Sequence, residues 1–110
     1  MSKRSVKLLL EDILEAIKNI KDYTSEISFE EFMGNQKTKD AVIRNFEIIG
    51  EVATKLPKEF RENYPQIDWP GIIGFRNVLI HDYFGIDYQI VWTIKTDILP
   101  KLEIQIRSLT

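Results

Sequence analysis

Apolar residues recur at steps of three and four along two long segments in the first half of the chain. One segment runs from Ser5 to Tyr23 and the other from about Gln36 to Leu56. Each segment has a single apolar stripe and charged residues on its other faces, which is typical of an amphipathic α-helix. The stripes are Val6, Leu10, Ile13, Ile17 and Ile20 in the first segment and Val42, Phe46, Ile49, Ala53 and Leu56 in the second.

Short polar stretches separate and follow these two helices. The sequence SFEE at 28–31 has the spacing of a capping box, and it predicts a short helical turn that Gly34 can end. Pro57 disfavours helical geometry at the residue before it, so Leu56 should leave helical geometry and close the second long segment. We expect residues 57–67 to form a connector with one turn near its start.

The second half of the chain contains two further helical segments. Asp68 can cap the first of them, and Pro70 is tolerated in its first turn. This helix should end near His81–Phe84, where Gly85 is available for a left-handed cap. Asp87 can cap the last helix in the same way as Asp68.

The last helix carries an apolar stripe that continues almost to the C-terminus. Pro100 lies within this helix, has no N–H to donate and should therefore kink it. The stripe consists of Val91, Ile94, Ile98, Leu102, Ile106 and Leu109.

These segments predict an all-α fold, since no part of the chain shows convincing strand alternation. Four main helices joined by short loops favour an up-down bundle, with short helical turns between them. The chain shows no repeat, low-complexity tract or linker, and its 110 residues suit one compact domain. We therefore expect a single domain over residues 1–110.

Composition narrows the possible chemistry. The chain has no cysteine and one histidine, which excludes disulfides and thiolate ligands and disfavours a conventional metal cluster within one chain. A net charge of −2 argues against a protein that coats nucleic acid nonspecifically, although a local grip on a few nucleotides stays open. Neither a membrane-spanning stretch nor a signal-peptide pattern is present, so we expect a soluble, cytoplasmic protein.

The third main helix departs from the amphipathic pattern. Its apolar residues point in all directions, which predicts that it is buried in the domain or covered by a partner. Polar residues nevertheless interrupt it: Arg76 and Asn77 in its second half, and His81 and Asp82 at its end. A buried guanidinium without a partner is costly, so Arg76 should reach solvent, a carboxylate or a ligand phosphate. The apolar residues are Ile72, Ile73, Phe75, Val78, Leu79 and Ile80.

Helical geometry limits how these polar residues can meet. Asn77 and His81 are four apart and share a face, so Asn77 could hold or polarise the imidazole. Arg76 lies about 140° around the axis from His81, at roughly 100° per residue. One straight helix cannot aim both at the same atom. Convergence requires either a helix that frays at His81 or a second copy of the helix across a twofold axis.

The residue types suit RNA cleavage without a metal. A histidine can exchange a proton with the 2′-hydroxyl or the leaving oxygen, and an arginine can stabilise the phosphate as its charge grows. Simpler interpretations stand beside this one. His81 could serve the dipole at the helix C-terminus, Arg76 could pair with Glu47 or Glu51, and Tyr83 could belong to the core.

Two further groups of residues have both a structural and a functional interpretation. Glu47 and Glu51 could form an acid/base pair, but a solvated polar face is the simpler explanation. Trp69 and Trp92 could stack on bases, although amphipathic helices usually use tryptophan for packing or for interfaces.

The stretch RNVLIHDY at 76–83 matches the R-x4-H-x-Y motif of the HepT-like ribonuclease toxins, a branch of the HEPN superfamily. Asn77 occupies the polar position that follows the arginine in the superfamily pattern. The opening helix, the segment 28–57 and the tail 87–106 also resemble this family. The resemblance therefore covers nearly the whole chain.

The resemblance implies an all-helical homodimer with an RNA-cleaving cleft at the interface. It implies a metal-independent endoribonuclease that uses no cofactor, with Arg76 and His81 as catalytic residues and Asn77 in support. It also implies a minimal nucleotidyltransferase antitoxin as partner, which transfers AMP from ATP onto Tyr83. The added phosphate would compete with RNA for Arg76. Arg44, Glu47 and Glu51 lie in a segment similar to the family, without an assigned role.

Two alternatives to a ribonuclease remain at this point. The chain could be a noncatalytic helical subunit that only docks the nucleotidyltransferase. It could also be a nucleotide-binding regulator that keeps Arg76 as a phosphate ligand without chemistry.

Overall fold

The computed structural model describes residues 4–110, so the first three residues of the expected domain lie outside the described part. Among the described residues the chain is helical and forms no strand, as the sequence predicts. Four long helical runs and two short helices are present, which confirms the all-α prediction. The long runs are α1 Val6–Thr24, α3 Gln36–Lys55, α5 Trp69–His81 and a last run that consists of α6 Tyr88–Thr93 and α7 Leu99–Arg107. The short helices are α2 Phe29–Met33 and α4 Lys58–Asn63.

Side chains cap the helices where the sequence predicts them. The capping box before α2 is complete, because Ser28 accepts from the Glu31 backbone and Glu31 accepts from the Ser28 backbone. Asp68 begins α5 and Asp87 begins α6 through the same kind of hydrogen bond. Asn35, which the sequence interpretation left unassigned, caps α3 by accepting from a backbone N–H. Short polar residues thus set the starts of α2, α3, α5 and α6.

The core forms around α3, which packs against α1 on one side and α5 on the other. Asn19 of α1 donates to Asn45 of α3 over 3.1 Å. The rings of Phe46 on α3 and Phe75 on α5 meet edge to face at 5.4 Å. The α7 helix packs on the other side of α1, where Lys21 and Glu103 form an ion pair of 2.9 Å. No helix among residues 4–110 combines the length and apolar character needed to cross a lipid bilayer.

The last helical run differs from the predicted stripe. A π-helical turn at Ile94–Ile98 joins α6 to α7, with the Leu99 N–H donating to the Ile94 carbonyl. This turn inserts one extra residue, which rotates the face that follows it by about 100°. Ile98 is therefore 55% exposed, and Leu99 is buried in its place. Pro100 follows this π-turn directly, and the kink expected at Pro100 stays a prediction.

The α5 helix ends at His81, within the predicted range, but the residues that follow it differ from the prediction. The Asp82 N–H donates to the Val78 carbonyl over 2.9 Å, so the helix is regular through His81. No glycine of the described residues has a positive φ, and the predicted left-handed cap at Gly85 is therefore wrong. A single 3₁₀ turn, Tyr83–Gly85, follows instead. Gly85 is small for another reason, since an added Cβ would lie 2.6 Å from the Asp82 carboxylate.

The outer face of α5 is not covered within the chain. Only Trp69 and Leu79 of this helix are buried, whereas Val78 is 54% exposed and Ile80 is also exposed. Phe84, in the turn that follows, is fully exposed. Burial of the whole helix inside the domain is therefore wrong, and a covering partner stays a prediction.

Gly50 allows α3 and α5 to approach closely. An added Cβ at Gly50 would lie 2.2 Å from the Arg76 Cβ and 2.7 Å from its Cγ. Side-chain carbons do not come this close, so the stem of Arg76 occupies the space that a residue other than glycine would fill. A glycine within a helix normally costs about 1 kcal/mol relative to alanine. The close helix contact explains why Gly50 lies in the interior of a 20-residue helix.

We expect Gly50→Ala to destabilise the protein, because the overlap with Arg76 must push α3 and α5 apart. Overpacking of this kind costs about 1–3 kcal/mol, which outweighs the gain in helix propensity. Chemical denaturation followed by circular dichroism measures the change. Gly34→Ala is the matched control, since its Cβ would make ordinary contacts at 3.5 Å. A Gly50→Ala protein as stable as wild type would contradict the close packing.

Candidate active site at the end of helix α5

Arg76 is held by its neighbour in the sequence, Asn77. Its Nη1 donates to the Asn77 Oδ1 over 2.9 Å, and its Nε is buried without a hydrogen-bond partner. The predicted alternative, an ion pair with Glu47 or Glu51, does not form, since both carboxylates face Arg44 instead. No carboxylate among residues 4–110 forms a salt bridge with the Arg76 guanidinium. Its positive charge is available to an anion from outside the chain.

Asn77 supports a different residue from the one that helical spacing suggests. Its carbonyl accepts from Arg76, so the expected contact with the imidazole of His81 is not formed in the single chain. Asn77 and His81 are both exposed, and they share the outer face of α5. The amide therefore restricts the guanidinium rather than the imidazole.

His81 is the last residue of α5, and its side chain is exposed. The imidazole forms no hydrogen bond with any residue from 4 to 110. This position suits the dipole interpretation and a role in proton transfer equally well. It lies five positions after Arg76 in the sequence, which corresponds to about 7.5 Å along a helix axis. Because α5 does not fray at His81, the fraying route to convergence is absent from this chain.

Tyr83 is 42% exposed, so its interpretation as a core residue is wrong. Its hydroxyl donates to the Asp40 Oδ1 over 2.8 Å and so connects the 3₁₀ turn to the start of α3. The hydrogen bond to Asp40 raises the pKa of Tyr83 above its ordinary 10.0, with partial desolvation adding to the effect. The same bond, with one from Gln36, lowers the pKa of Asp40 below 3.8.

These two shifts set the pH range in which the Tyr83–Asp40 bond stabilises the fold. The raised pKa of Tyr83 means that its contribution is present below pH 10.0 and is lost as the pH rises through the raised value. The lowered pKa of Asp40 means that its contribution is present above pH 3.8 and is lost as the pH falls through the lowered value. The bond is intact throughout the range between.

The polar face of α3 continues beside this turn. Arg44 Nη1 lies 3.4 Å from Glu51 and 3.5 Å from Glu47, both long contacts at the surface. Such pairs contribute little to stability. Glu47 also acts on the pKa of Tyr83 through its charge, so the acidic face extends toward the hydroxyl. Arg44, Glu47 and Glu51 thus form a charged surface next to the motif, on which Arg44 is exposed and both glutamates are partly buried.

Both tryptophans are used in packing. Trp69 is buried, and its indole N–H donates to the Tyr64 carbonyl over 3.1 Å. Trp92 packs against Phe29 and Phe32 and lies 3.6 Å beneath the Lys95 ammonium. The structure therefore favours packing over base stacking for these residues.

Two residues near the motif were not recognised as important from the sequence. Gly50 carried a signal, because a glycine in the middle of a long amphipathic helix usually has a packing reason. No sequence signal marked Asp40, since it lies 43 positions from Tyr83 and is one of several charged residues on a polar helix face. Among residues 4–110, no three His, Cys, Asp or Glu side chains cluster as metal ligands would.

A cavity of about 310 Å³ lies elsewhere, between α3, α5 and α7. Apolar side chains form most of its wall, including Phe46, Ile72 and Leu102. None of the motif residues Arg76, Asn77, His81 or Tyr83 lines it. The candidate site is therefore a surface at the end of α5 rather than an enclosed pocket.

Comparison with known proteins identifies one matching family model and several similar sequences. The family model described as "Ribonuclease HepT-like" matches residues 13–109. A protein of Thermococcus cleftensis named "Probable ribonuclease HepT" is 48% identical over 102 residues, which cover 92% of each chain. "Putative RNase MJ1380" of Methanocaldococcus jannaschii is 45% identical and covers 94% of each chain. No solved structure matches the chain.

Proposed function

Because the chain belongs to the HepT-like ribonuclease family, we propose that it is a metal-independent endoribonuclease toxin with Arg76 and His81 as its catalytic residues. The observation that carries the proposal is the unpaired guanidinium of Arg76, held by Asn77 on the same exposed helix end as His81. An anchored arginine without a carboxylate partner is suited to a phosphodiester.

In the proposed reaction, the 2′-hydroxyl of RNA attacks the adjacent phosphorus. A His81 imidazole takes the hydroxyl proton, and the P–O5′ bond breaks as a water molecule delivers a proton to the leaving 5′ oxygen. The imidazolium then returns its proton to the solvent. The products are a cyclic 2′,3′-phosphate and a 5′-hydroxyl. Arg76 stabilises the negative charge that grows on the non-bridging oxygens. Asn77 keeps the guanidinium oriented, which reduces the entropy lost on binding.

The cleft is proposed to form between two copies of the chain. Two observations support a dimer: α5 stays regular through His81, and exposed apolar side chains surround the motif, among them Val78, Ile80 and Phe84. A twofold axis beside α5 would cover these side chains and bring Arg76 of each copy near His81 of the other.

Neutralisation is proposed to occur at Tyr83, through AMP transferred from ATP by a minimal nucleotidyltransferase antitoxin. Tyr83 is exposed and lies two residues beyond His81, so an attached adenylyl group would reach the motif. Its phosphate would occupy Arg76 and exclude RNA.

We expect purified protein to cleave RNA equally with and without EDTA, and His81→Ala to lower the cleavage rate about 10²- to 10⁴-fold. Arg76→Ala should lower it about 10²- to 10³-fold, the usual effect of removing one donor that stabilises transition-state charge. Arg107→Ala is the matched control, because Arg107 pairs with Glu103 on the last helix. Wild-type protein that binds but never cleaves RNA would favour a noncatalytic role, and inhibition by EDTA would refute the metal-free mechanism.

Mixing the two inactive variants tests the composite cleft. Subunit exchange between Arg76→Ala and His81→Ala chains should restore cleavage, because half of the dimers are mixed and each keeps one intact Arg–His pair, giving about a quarter of wild-type activity. Light scattering measures the dimer in parallel. A monomer in solution, or no recovery after confirmed exchange, would contradict a site shared between chains.

AMP transfer is tested by intact mass after incubation with the partner nucleotidyltransferase and ATP. The mass of wild-type protein should rise by one or more adenylyl groups, with a matching loss of RNA cleavage. Tyr83→Phe should gain no mass and should remain active with the partner present. Tyr23→Phe is the matched control, since Tyr23 is 44% exposed, close to the 42% of Tyr83. Modification that persists in Tyr83→Phe would place the switch elsewhere.

A further inference from the structure

The hydroxyl of Tyr83 is already paired with a base before any partner binds. Its only partner among the described residues is Asp40, 2.8 Å away on α3. Asp40 Oδ1 also accepts from Gln36 over 2.9 Å, which fixes the carboxylate from its own helix. The two residues come from distant parts of the chain, so this pairing is a product of the fold.

Transfer of AMP to a tyrosine requires removal of the proton from its hydroxyl. The phenolic oxygen must lose its proton as it bonds to phosphorus, yet a tyrosine ionises only near pH 10. In this protein the hydrogen bond to Asp40 raises the pKa of Tyr83 further, so phenolate is scarcer than in a free tyrosine. The reaction at neutral pH therefore needs a base within hydrogen-bond reach of the hydroxyl.

We infer that Asp40 is the general base for adenylyl transfer to Tyr83. This inference rests on the proposed modification of that tyrosine. The Tyr83 oxygen forms a bond to the α-phosphorus of ATP, the bond from that phosphorus to the bridging oxygen breaks, and pyrophosphate leaves. The phenolic proton passes to the Asp40 carboxylate as the new bond forms. Protein kinases use an aspartate in the same role toward the hydroxyl that they phosphorylate.

The charges around the pair suit this step. Hydrogen bonds from Tyr83 and Gln36, together with the nearby Lys39, keep Asp40 ionised well below neutral pH. It can therefore accept a proton throughout the physiological range. Lys39, whose ammonium lies 4.8 Å above the ring of Tyr88, is the nearby cation that favours the charged form of Asp40. Tyr88 and Glu47 are the other titratable groups whose charge acts on Tyr83.

The inference has a consequence for selectivity. The base belongs to the chain that is modified. The nucleotidyltransferase therefore needs only to bring ATP to a hydroxyl that already has its base within hydrogen-bond distance. Tyr23 has similar exposure but shows no hydrogen bond to a carboxylate among residues 4–110. Exposure alone would make both tyrosines acceptors, whereas the base singles out Tyr83.

Asp40→Asn tests the inference, because its amide oxygen can still accept from Tyr83 but cannot take up the proton. With partner and ATP at saturation, the rate of AMP incorporation should fall about 10²- to 10⁴-fold. The pH profile should also change. The wild-type rate should be flat around neutral pH, whereas the variant's rate should rise about tenfold per pH unit, because it depends on spontaneous phenolate.

Two controls accompany this variant. RNA cleavage by Asp40→Asn without the partner should match wild type, which shows that the chain is folded. Asp22→Asn, which removes an exposed carboxylate paired with Lys18, should take up AMP at the wild-type rate.

The outcomes separate the two proposals. Wild-type protein that gains no AMP overturns both the proposed switch and the role of Asp40. AMP incorporation by Asp40→Asn at the wild-type rate overturns the role of Asp40 alone. A slower rate with an unchanged pH profile assigns Asp40 to positioning and equally overturns its role as base.

Discussion

The close contact between α3 and α5 at Gly50 is the constraint on which the position of Arg76 depends. With no side chain at this position, the stem of Arg76 rests directly on α3. The same contact aligns the start of α3 with the end of α5, where Asp40 meets Tyr83. A larger residue at the crossing would displace the arginine and the tyrosine together, although the two differ in proposed function.

The motif combines rigid and free groups. Arg76 is fixed by Asn77 and by packing, and Tyr83 is fixed by Asp40, whereas the His81 imidazole forms no hydrogen bond with any described residue. A charge-stabilising group gains from being held in advance, since less order must be imposed in the transition state. A proton-transfer group gains from access to substrate. The division of roles proposed for these residues follows this physical difference.

Local patterns in the sequence were sufficient to predict the helices. Caps such as Ser28 and Asp68 and apolar spacing in α1 and α3 act within one helical turn, so they can be recognised without a structure. The errors arose where distant segments meet or where backbone geometry changes. The π-turn before Pro100 changed which isoleucine is buried, and the end of α5 used a 3₁₀ turn instead of a glycine cap. Likewise, the motif residues were recognisable from spacing and family resemblance, but the partners of Asn77 and Tyr83 depend on three-dimensional contacts.

The hydroxyl of Tyr83 fastens the turn Tyr83–Gly85 to α3, and a hydroxyl that carries an ester no longer has a proton to donate. Esterification would therefore break the hydrogen bond between the turn and α3. The negative charge of the new phosphate would also be repelled by the Asp40 carboxylate. The turn would then have two states, one hydrogen-bonded to α3 and one free of it, and the ester on Tyr83 would determine which state forms. Phe84 is in this turn and is fully exposed, so release would also move the largest exposed apolar side chain beside the motif.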